Sequence, residues 1–355
     1  GLSVLLAAVM IFMLAACGNK QDTPSQDEQP NTPDENVEAT ADLEWLKGKD
    51  ITIIVPFKAG GSLDLMVRAF VPYWEKTAEC TFIVENREGA SGQVGTQYFA
   101  SLPNNEMNYI YCGTQTYFSA NIILNDAAYS IDDFAMINMQ QMDPTTLTVL
   151  QSSPYNTAEE LIQAIKDHPG ELKCGTIAGS AGSIMLHMLK EAYDLDFKVV
   201  TYDSGNDFRT ALLGGHVDFI PGSANGDLGL GDEAKVLVVC GSERNQIWPD
   251  TPCTDEIWPE LGIPGSLGSC RFLAANAAAA EKYQGRYLAL VETYEQAFND
   301  PDYQKLIENS GELYVSGYHG PEESKELNDS LHAIIEQYKD ILAEQNNRRR
   351  GIGIT

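Results

Sequence analysis

ITIIVPFKAGGS, residues 51–62, is an apolar run that ends in glycines and leads into a helix-patterned stretch from Leu63. The arrangement returns twice. FIVEN (82–86) runs into Gly89-Ala90-Ser91-Gly92-Gln93-Val94-Gly95, and LKCGTI (172–177) runs into Ala178-Gly179-Ser180-Ala181-Gly182-Ser183. A strand that ends in glycines and opens a helix leaves backbone N–H groups aimed outward. Glycine lacks a Cβ, so a ligand can approach that backbone closely. Three such turns imply main-chain amides arranged to hold a small anion.

Outward from these turns, strand and helix patterns alternate. Apolar runs at 51–57, 81–85, 108–112, 146–151, 172–177, 197–202, 217–221 and 235–240 read as strands. Helical periodicity follows most of them, at 63–76, 92–101, 117–125, 157–167, 183–193, 206–213 and 281–299. Thr157 with Glu160 three residues later reads as a capping box, and Asp167-His168-Pro169-Gly170 as its stop. Alternation of this kind predicts an α/β fold, with mostly parallel sheets flanked by helices.

The front of the chain reads differently. Gly1–Ala16 carries no charge, and Leu14-Ala15-Ala16-Cys17 closes it like a bacterial lipoprotein signal with its lipobox (1–17). Cys17 is then the expected lipidation site. Gly18–Thr40 holds Pro24, Pro30 and Pro33, six carboxylates and one lysine, too little apolar surface to fold. Residues 18–47 are therefore expected to be a disordered acidic tether, and the protein to sit lipid-anchored on the outer face of the cell membrane. The net charge of −28 argues against a nucleic-acid partner and requires any anion site to be built locally from oriented amides.

Beyond Cys17 lie Cys80, Cys112, Cys174, Cys240, Cys253 and Cys270. Most read as free buried thiols within apolar runs, with Cys253–Cys270 the pair expected to bridge if any does. No CxxC occurs, and the five histidines lack ligand spacing, so neither a metal nor a cofactor is expected. Residues 178–182 lack the first glycine of GxSxG, no GxxxxGK[ST] exists, and residues 89–95 form GxxGxxG rather than the dinucleotide GxGxxG. No catalytic residue is expected. A secreted doubly wound enzyme, either a serine hydrolase or a nucleotide-binding protein, is the alternative reading.

VPFKAGGSLDLMVR (55–68), VENREGASGQVG (84–95), YIYCGT (109–114) and YDSGNDFRTALLGGHVDF (202–219) resemble the solute-binding receptors of the tripartite tricarboxylate transporters, the Bug family. That family shows VPFxxGG[ST]xD and VENRPGAGGxxG turns and a YxG…LLGGxVD segment. The resemblance covers about 48–340. It implies a two-lobed periplasmic-binding-protein-like fold that closes over a small carboxylate and delivers it, as a monomer, to membrane permease subunits. It also implies crossings between lobes near 147–151 and 270–274. Lobe one is then 48–148 plus 274–340, lobe two 149–273, and 341–355 a tail.

Carried over residue by residue, the resemblance places Phe57, Ala59, Gly60, Gly61, Ser62 and Asp64 of the first turn at the ligand, with Gly89 and Ala90 of the second. Gly113 and Thr114 join them at the end of the third strand. Lobe two contributes Ala178, Gly179, Ser180, Ser183, Tyr202 and Asp203. Two positions depart from the pattern. Leu186 stands where relatives often carry histidine, and Asp203 where they often carry lysine. A carboxylate there favours a monocarboxylate or an amino acid over a plain dicarboxylate.

Overall fold

The structure is a computed structural model that describes residues 39–102, 106–202, 204–340 and 343. Cys17, Asp203 and the tail beyond residue 343 lie outside the described residues. The first described element is α1 (Leu43–Leu46), followed by β1 (Asp50–Val55), α2 (Ser62–Ala78), β2 (Thr81–Asn86), α3 (Gln93–Ala100), β3 (Tyr109–Thr114), α4 (Gln115–Leu124) and β4 (Phe134–Pro144). A second set comes next: β5 (Thr146–Leu150), α5 (Ala158–Asp167), β6 (Lys173–Thr176), α6 (Ala181–Tyr193), β7 (Lys198–Thr201), α7 (Gly205–Leu213), β8 (Phe219–Ile220), β9 (Ala234–Val239) and α8 (Thr254–Ile257). The chain returns through β10 (Gly268–Asn276), α9 (Ala277–Lys282), α10 (Gln284–Phe298), α11 (Pro301–Asn309) and α12 (Gly320–Gln337).

Two five-stranded sheets result, ordered β2-β1-β3-β10-β4 and β7-β6-β8-β5-β9. The strands β2, β1 and β3 are parallel, as are β7, β6 and β8, while β10 and β5 run antiparallel to their neighbours. The expected mixed architecture of two helix-flanked sheets is present. Central strands read as continuous apolar runs because both faces are covered, as with Ile51, Ile53, Ile54 and Val55. α2 presents Leu63, Met66, Val67, Phe70 and Trp74 to the first core, where Trp74 stacks on Phe82 with ring centroids 4.1 Å apart.

Three boundaries differ from the sequence reading. Leu46 is fully buried in the first core, and the Asp42 amide donates to the Gly285 carbonyl at 2.8 Å. Residues 42–47 therefore belong to the body rather than to a tether. The sheets change over at Thr145, between β4 and β5, and again just before β10, earlier than 147–151 and 270–274. The two crossing segments run side by side, the Thr145 amide donating to the Leu267 carbonyl at 3.0 Å. A Cβ on Gly268 would lie 2.1 Å from the Asp143 carbonyl oxygen, so only glycine allows this approach. β4 and β10, which pair with each other, had no clear sequence signature. β4 buries Asn138, Gln140 and Gln141, whose amides are satisfied from afar: Gln140 by Tyr294 and Tyr303, both at 2.7 Å, and Asn138 by the Gly317 carbonyl at 2.9 Å.

All six described cysteines are free and buried, so the Cys253–Cys270 bridge does not form. The reason is topological. Cys270 lies on β10 of the first sheet, whereas Cys253 bridges Val239 of β9 in the second.

Candidate functional site

Topology brings the glycine turns to one place. β4 is parallel to β3, because both run antiparallel to β10, so Pro144 lies at the carboxyl end of the first sheet's parallel strands. β5 is antiparallel to β8, so Thr146 lies at the carboxyl end of the second sheet's parallel strands. Only Thr145 separates the two. The carboxyl ends of both parallel sets therefore meet at the hinge. In each sheet the chain leaves the strand carrying the turn, β1 or β6, for one neighbour and later returns on its other side. Ligands of open α/β sheets bind at such switch points.

The two turns have one geometry. Gly61 donates its amide to the Lys58 carbonyl at 3.2 Å, and Ser180 to the Ile177 carbonyl at 3.2 Å. Gly60 at φ +79° and Gly179 at φ +76° supply the left-handed residue of a type II turn. A Cβ at either would meet nothing within 4 Å, so both face open space. The next residue is in each case the helix N-cap, Gly61 (φ −73°, ψ 164°) or Ser180 (φ −80°, ψ 162°).

The lobes differ in how these helix ends are satisfied. Among the described residues, the helices after the first sheet's parallel strands, α2, α3 and α4, have Gly61, Gly92 and Thr114 as N-caps, and none receives a side-chain cap. In lobe two the corresponding helices are capped. The Ser180 hydroxyl accepts the Ser183 amide at 3.2 Å, and the Ser204 hydroxyl accepts the Asp207 amide at 3.3 Å. The residues from Phe57 to Ser62 are exposed or half-buried. In lobe one, α2 and α4 therefore start without a side-chain cap, whereas in lobe two the cap takes one amide each of α6 and α7, and Ala181 and Gly182 at the start of α6 are left without an intrahelical acceptor, as Ser62 and Leu63 are in α2.

Individual residues fall out accordingly. Asp64 is buried, and its carboxylate accepts from the Gly60 amide at 2.8 Å, from Arg68 Nε at 2.9 Å and from Asn86 Nδ2 at 2.9 Å. Burial raises its carboxyl, but the hydrogen bonds from Arg68, Gly60 and Asn86 outweigh this and hold it below the usual carboxylate range. Asp64 thus braces the turn, and the Gly60 amide is already taken. This leaves Ser62, Leu63 and Asp64, the first three residues of α2, as the amides without an intrahelical acceptor. Asn86 Nδ2 also holds the Phe57 carbonyl at 3.0 Å. The Phe57 ring stands edge-on to Tyr117, centroids 5.7 Å apart, and faces Gly92, whose Cβ would lie 3.1 Å from it. Phe57 therefore walls the space between the first turn, the second turn and the start of α4.

Gly113 is glycine because the Tyr111 ring lies alongside it, 2.3 Å from where a Cβ would be. Thr114 is buried and ends β3 directly against α4. In lobe two, Ala178 is buried while Gly179 and Ser180 are half-buried. Ser183 is fully buried and donates its hydroxyl to the Ser180 carbonyl at 2.7 Å, so it completes the turn rather than facing outward. The half-buried Tyr202 lies over Gly175 and packs in a small cluster with Ile177. Leu186 is core, 3% exposed.

The sequence reading missed the braces: Arg68 and Asn86 in lobe one, and in lobe two a buried counterpart. Asp227 there accepts from Thr146 and Thr148 at 2.6 Å each and from Arg209 Nε at 2.8 Å. The VENR motif contained Asn86, but nothing in the sequence paired Arg209 with Asp227. A groove of about 640 Å³ runs along the hinge edge, lined by residues including Pro144, Arg244 and Tyr314; none of the turn residues lines it. No group of His, Cys, Asp or Glu among the described residues could hold a metal ion.

Residues 67–319 match the model of the tripartite tricarboxylate transporter family receptor. The chain belongs to this receptor family. It is 29% identical over 225 residues to a UPF0065 protein of Bordetella pertussis, covering 62% of this chain and 69% of that protein. The receptor also superposes on a TctC solute binding protein from Polaromonas, solved without ligand, with a TM-score of 0.70 and 22% identity, over 82% of this chain and 98% of that one. MatC from Rhodopseudomonas palustris, solved with bound malate, gives a TM-score of 0.62 and 20% identity, over 83% of this chain and 99% of that one. These likenesses place the receptor in the two-lobed periplasmic-binding fold.

Proposed function

We propose that this receptor works outside the cytoplasm, closes its two lobes over a small carboxylate, and delivers it unchanged to the membrane permease of a tripartite tricarboxylate transporter. The observation that carries this is the pair of helix ends without a side-chain cap, α2 and α4, at the carboxyl edge of the first sheet. Such ends attract an anion through free amides and aligned peptide dipoles. The reading assigns the carboxylate to lobe one, with the Ser62 and Leu63 amides as donors and Phe57 as wall. Lobe two closes over the other end through the turn at 178–180.

The charges beside the turns support a polarity for the ligand. Residues 57–62 and 86–92 include Lys58, Arg87 and Glu88, a net charge of +1, whereas 177–183 with 202–207 include Asp203 and Asp207 but no Lys or Arg, a net charge of −2. A monocarboxylate or an amino acid fits this polarity better than a second carboxylate in lobe two. MatC holds a dicarboxylate, malate, so the charge at residue 203 is the point on which the two would part. Cys17 is the proposed lipid anchor, and the acidic stretch before Asp42 the proposed tether.

Native mass spectrometry of protein purified without refolding tests the reading. A small acid carried along, released intact on unfolding and rebound on refolding, is the expected result. Turnover of that acid, or stabilisation by no small carboxylate in a thermal-shift panel, would contradict it.

A further inference from the structure

The second turn holds an unusual backbone. Gly89 (φ +140°), Ala90 (+47°), Ser91 (+52°) and Gly92 (+91°) are four successive residues at positive φ. Two of them carry a Cβ, which the left-handed region disfavours. Both Ala90 and Ser91 are exposed, so no packing of their side chains holds them there. Within the arch, the Gly92 amide donates to the Gly89 carbonyl at 3.0 Å. Strain of this kind persists only where surroundings over-determine it.

The surroundings are supplied by α4. Asn121, 2% exposed, donates its Nδ2 to the Ser91 carbonyl at 3.0 Å. Its own Oδ1 accepts from Asn125 Nδ2 at 2.9 Å, which fixes the amide's orientation. The Asn125 carbonyl in turn accepts from Gln93 Nε2 at 3.2 Å, closing a circuit back to the end of the arch. The arch meets the first turn through Gly92 and Phe57. One amide side chain thus joins the arch, the wall residue and the helix that begins just after Thr114.

We infer that Asn121 is a positioning residue of the ligand site: it holds the left-handed arch Gly89–Gly92 in the shape that sets the start of α3 and the Phe57 wall for the carboxylate. This rests on the receptor reading above. Asn121 does not itself reach the ligand.

The test uses the whole chain, a thermal-shift panel of small carboxylates and amino acids to find the strongest binder, and calorimetric titration with that compound. Asn121→Ala should weaken binding about tenfold, the size of one net hydrogen bond. Ser91→Gly alone should bind like wild type. Adding Ser91→Gly to Asn121→Ala should recover most of the loss, because glycine adopts the left-handed region without penalty. A role in general stability alone predicts a lower melting temperature with unchanged affinity and no rescue, and that result overturns the inference. Should Asn121→Ala not fold, Asn125→Ala, which frees the same amide, should weaken binding in the same direction; wild-type affinity there would overturn it. A wild-type protein that binds nothing in the panel contradicts the receptor reading instead. Hydrogen exchange then decides the clamp separately: faster exchange at 91–93 in Asn121→Ala supports it, and unchanged exchange overturns it.

Discussion

Gly60 and Gly179 hold the same place in the two lobes, each the left-handed residue of a type II turn, at φ +79° and +76°, one residue before a helix N-cap. The N-caps themselves differ. Gly61 leaves α2 uncapped, and Ser180 caps α6. The receptor therefore uses one turn design twice, with a side-chain cap on the following helix in lobe two and none in lobe one.

Gly60→Ala and Gly179→Ala meet no steric obstacle, since nothing lies within 4 Å of either Cβ position. Each should cost about 1–2 kcal/mol from the left-handed backbone alone. Chemical denaturation should show similar losses for both. Ligand affinity should fall further in Gly60→Ala, whose turn precedes the helix without a side-chain cap.

Asp64 makes lobe one's turn acid-sensitive with a defined sign. Its folded carboxyl is held below the usual range, so its contribution is complete above the unfolded value of about 3.9 and is lost as pH falls through the lower folded value. Asp64→Asn should destabilise by about 1–3 kcal/mol near neutral pH. The gap between mutant and wild type should close progressively below about pH 4. A gap that stays constant down to strong acid would contradict the assignment.

The six free thiols among the described residues give a redox prediction. Burial pushes Cys80 and Cys270 up to about 12 and raises Cys112, Cys174 and Cys240 as well. A buried thiol kept protonated is inert. Cys80, Cys112, Cys174, Cys240, Cys253 and Cys270 should react with a thiol reagent only after denaturation, and a reductant should leave the melting temperature unchanged.

Much of the fold was legible in the sequence, and the gaps have physical causes. The glycine turns showed because a strand-to-helix junction of this kind requires small residues at fixed places. The central parallel strands showed because burial on both faces makes them continuously apolar. β4 did not, because Asn138, Gln140 and Gln141 interrupt its apolar pattern and are satisfied by residues 130 or more positions away. Asp64 was legible as a site position but not as a brace, since Asp64 lies on α2 and its partner Asn86 at the end of β2, 22 residues on. Ser183 matched a binding pattern, yet local geometry turns its hydroxyl back to Ser180. Asn121 carried no signal, because the strain it holds is a property of the Ser91 backbone.

The polarity of the ligand is tested at residue 203. Asp203→Lys removes the carboxylate proposed to set lobe two against a second acidic group, and should shift the ranking of a thermal-shift panel towards dicarboxylates. The same ranking for mutant and wild type would take Asp203 out of the site.

The central claim is that the open end of α2 holds the carboxylate, and Gly61→Asp tests it most directly. Gly61 has an ordinary N-cap backbone, and a Cβ there would lie 3.2 Å from the Lys58 carbonyl oxygen, a contact that a small shift relieves. The new carboxylate should cap α2, stabilise the unliganded protein by about 0.5–2 kcal/mol, and occupy the amides that the ligand needs. Calorimetric titration with the acid that copurifies with the wild-type protein should then show binding lost while the melting temperature holds or rises. Wild-type affinity in a well-folded Gly61→Asp protein would contradict the account.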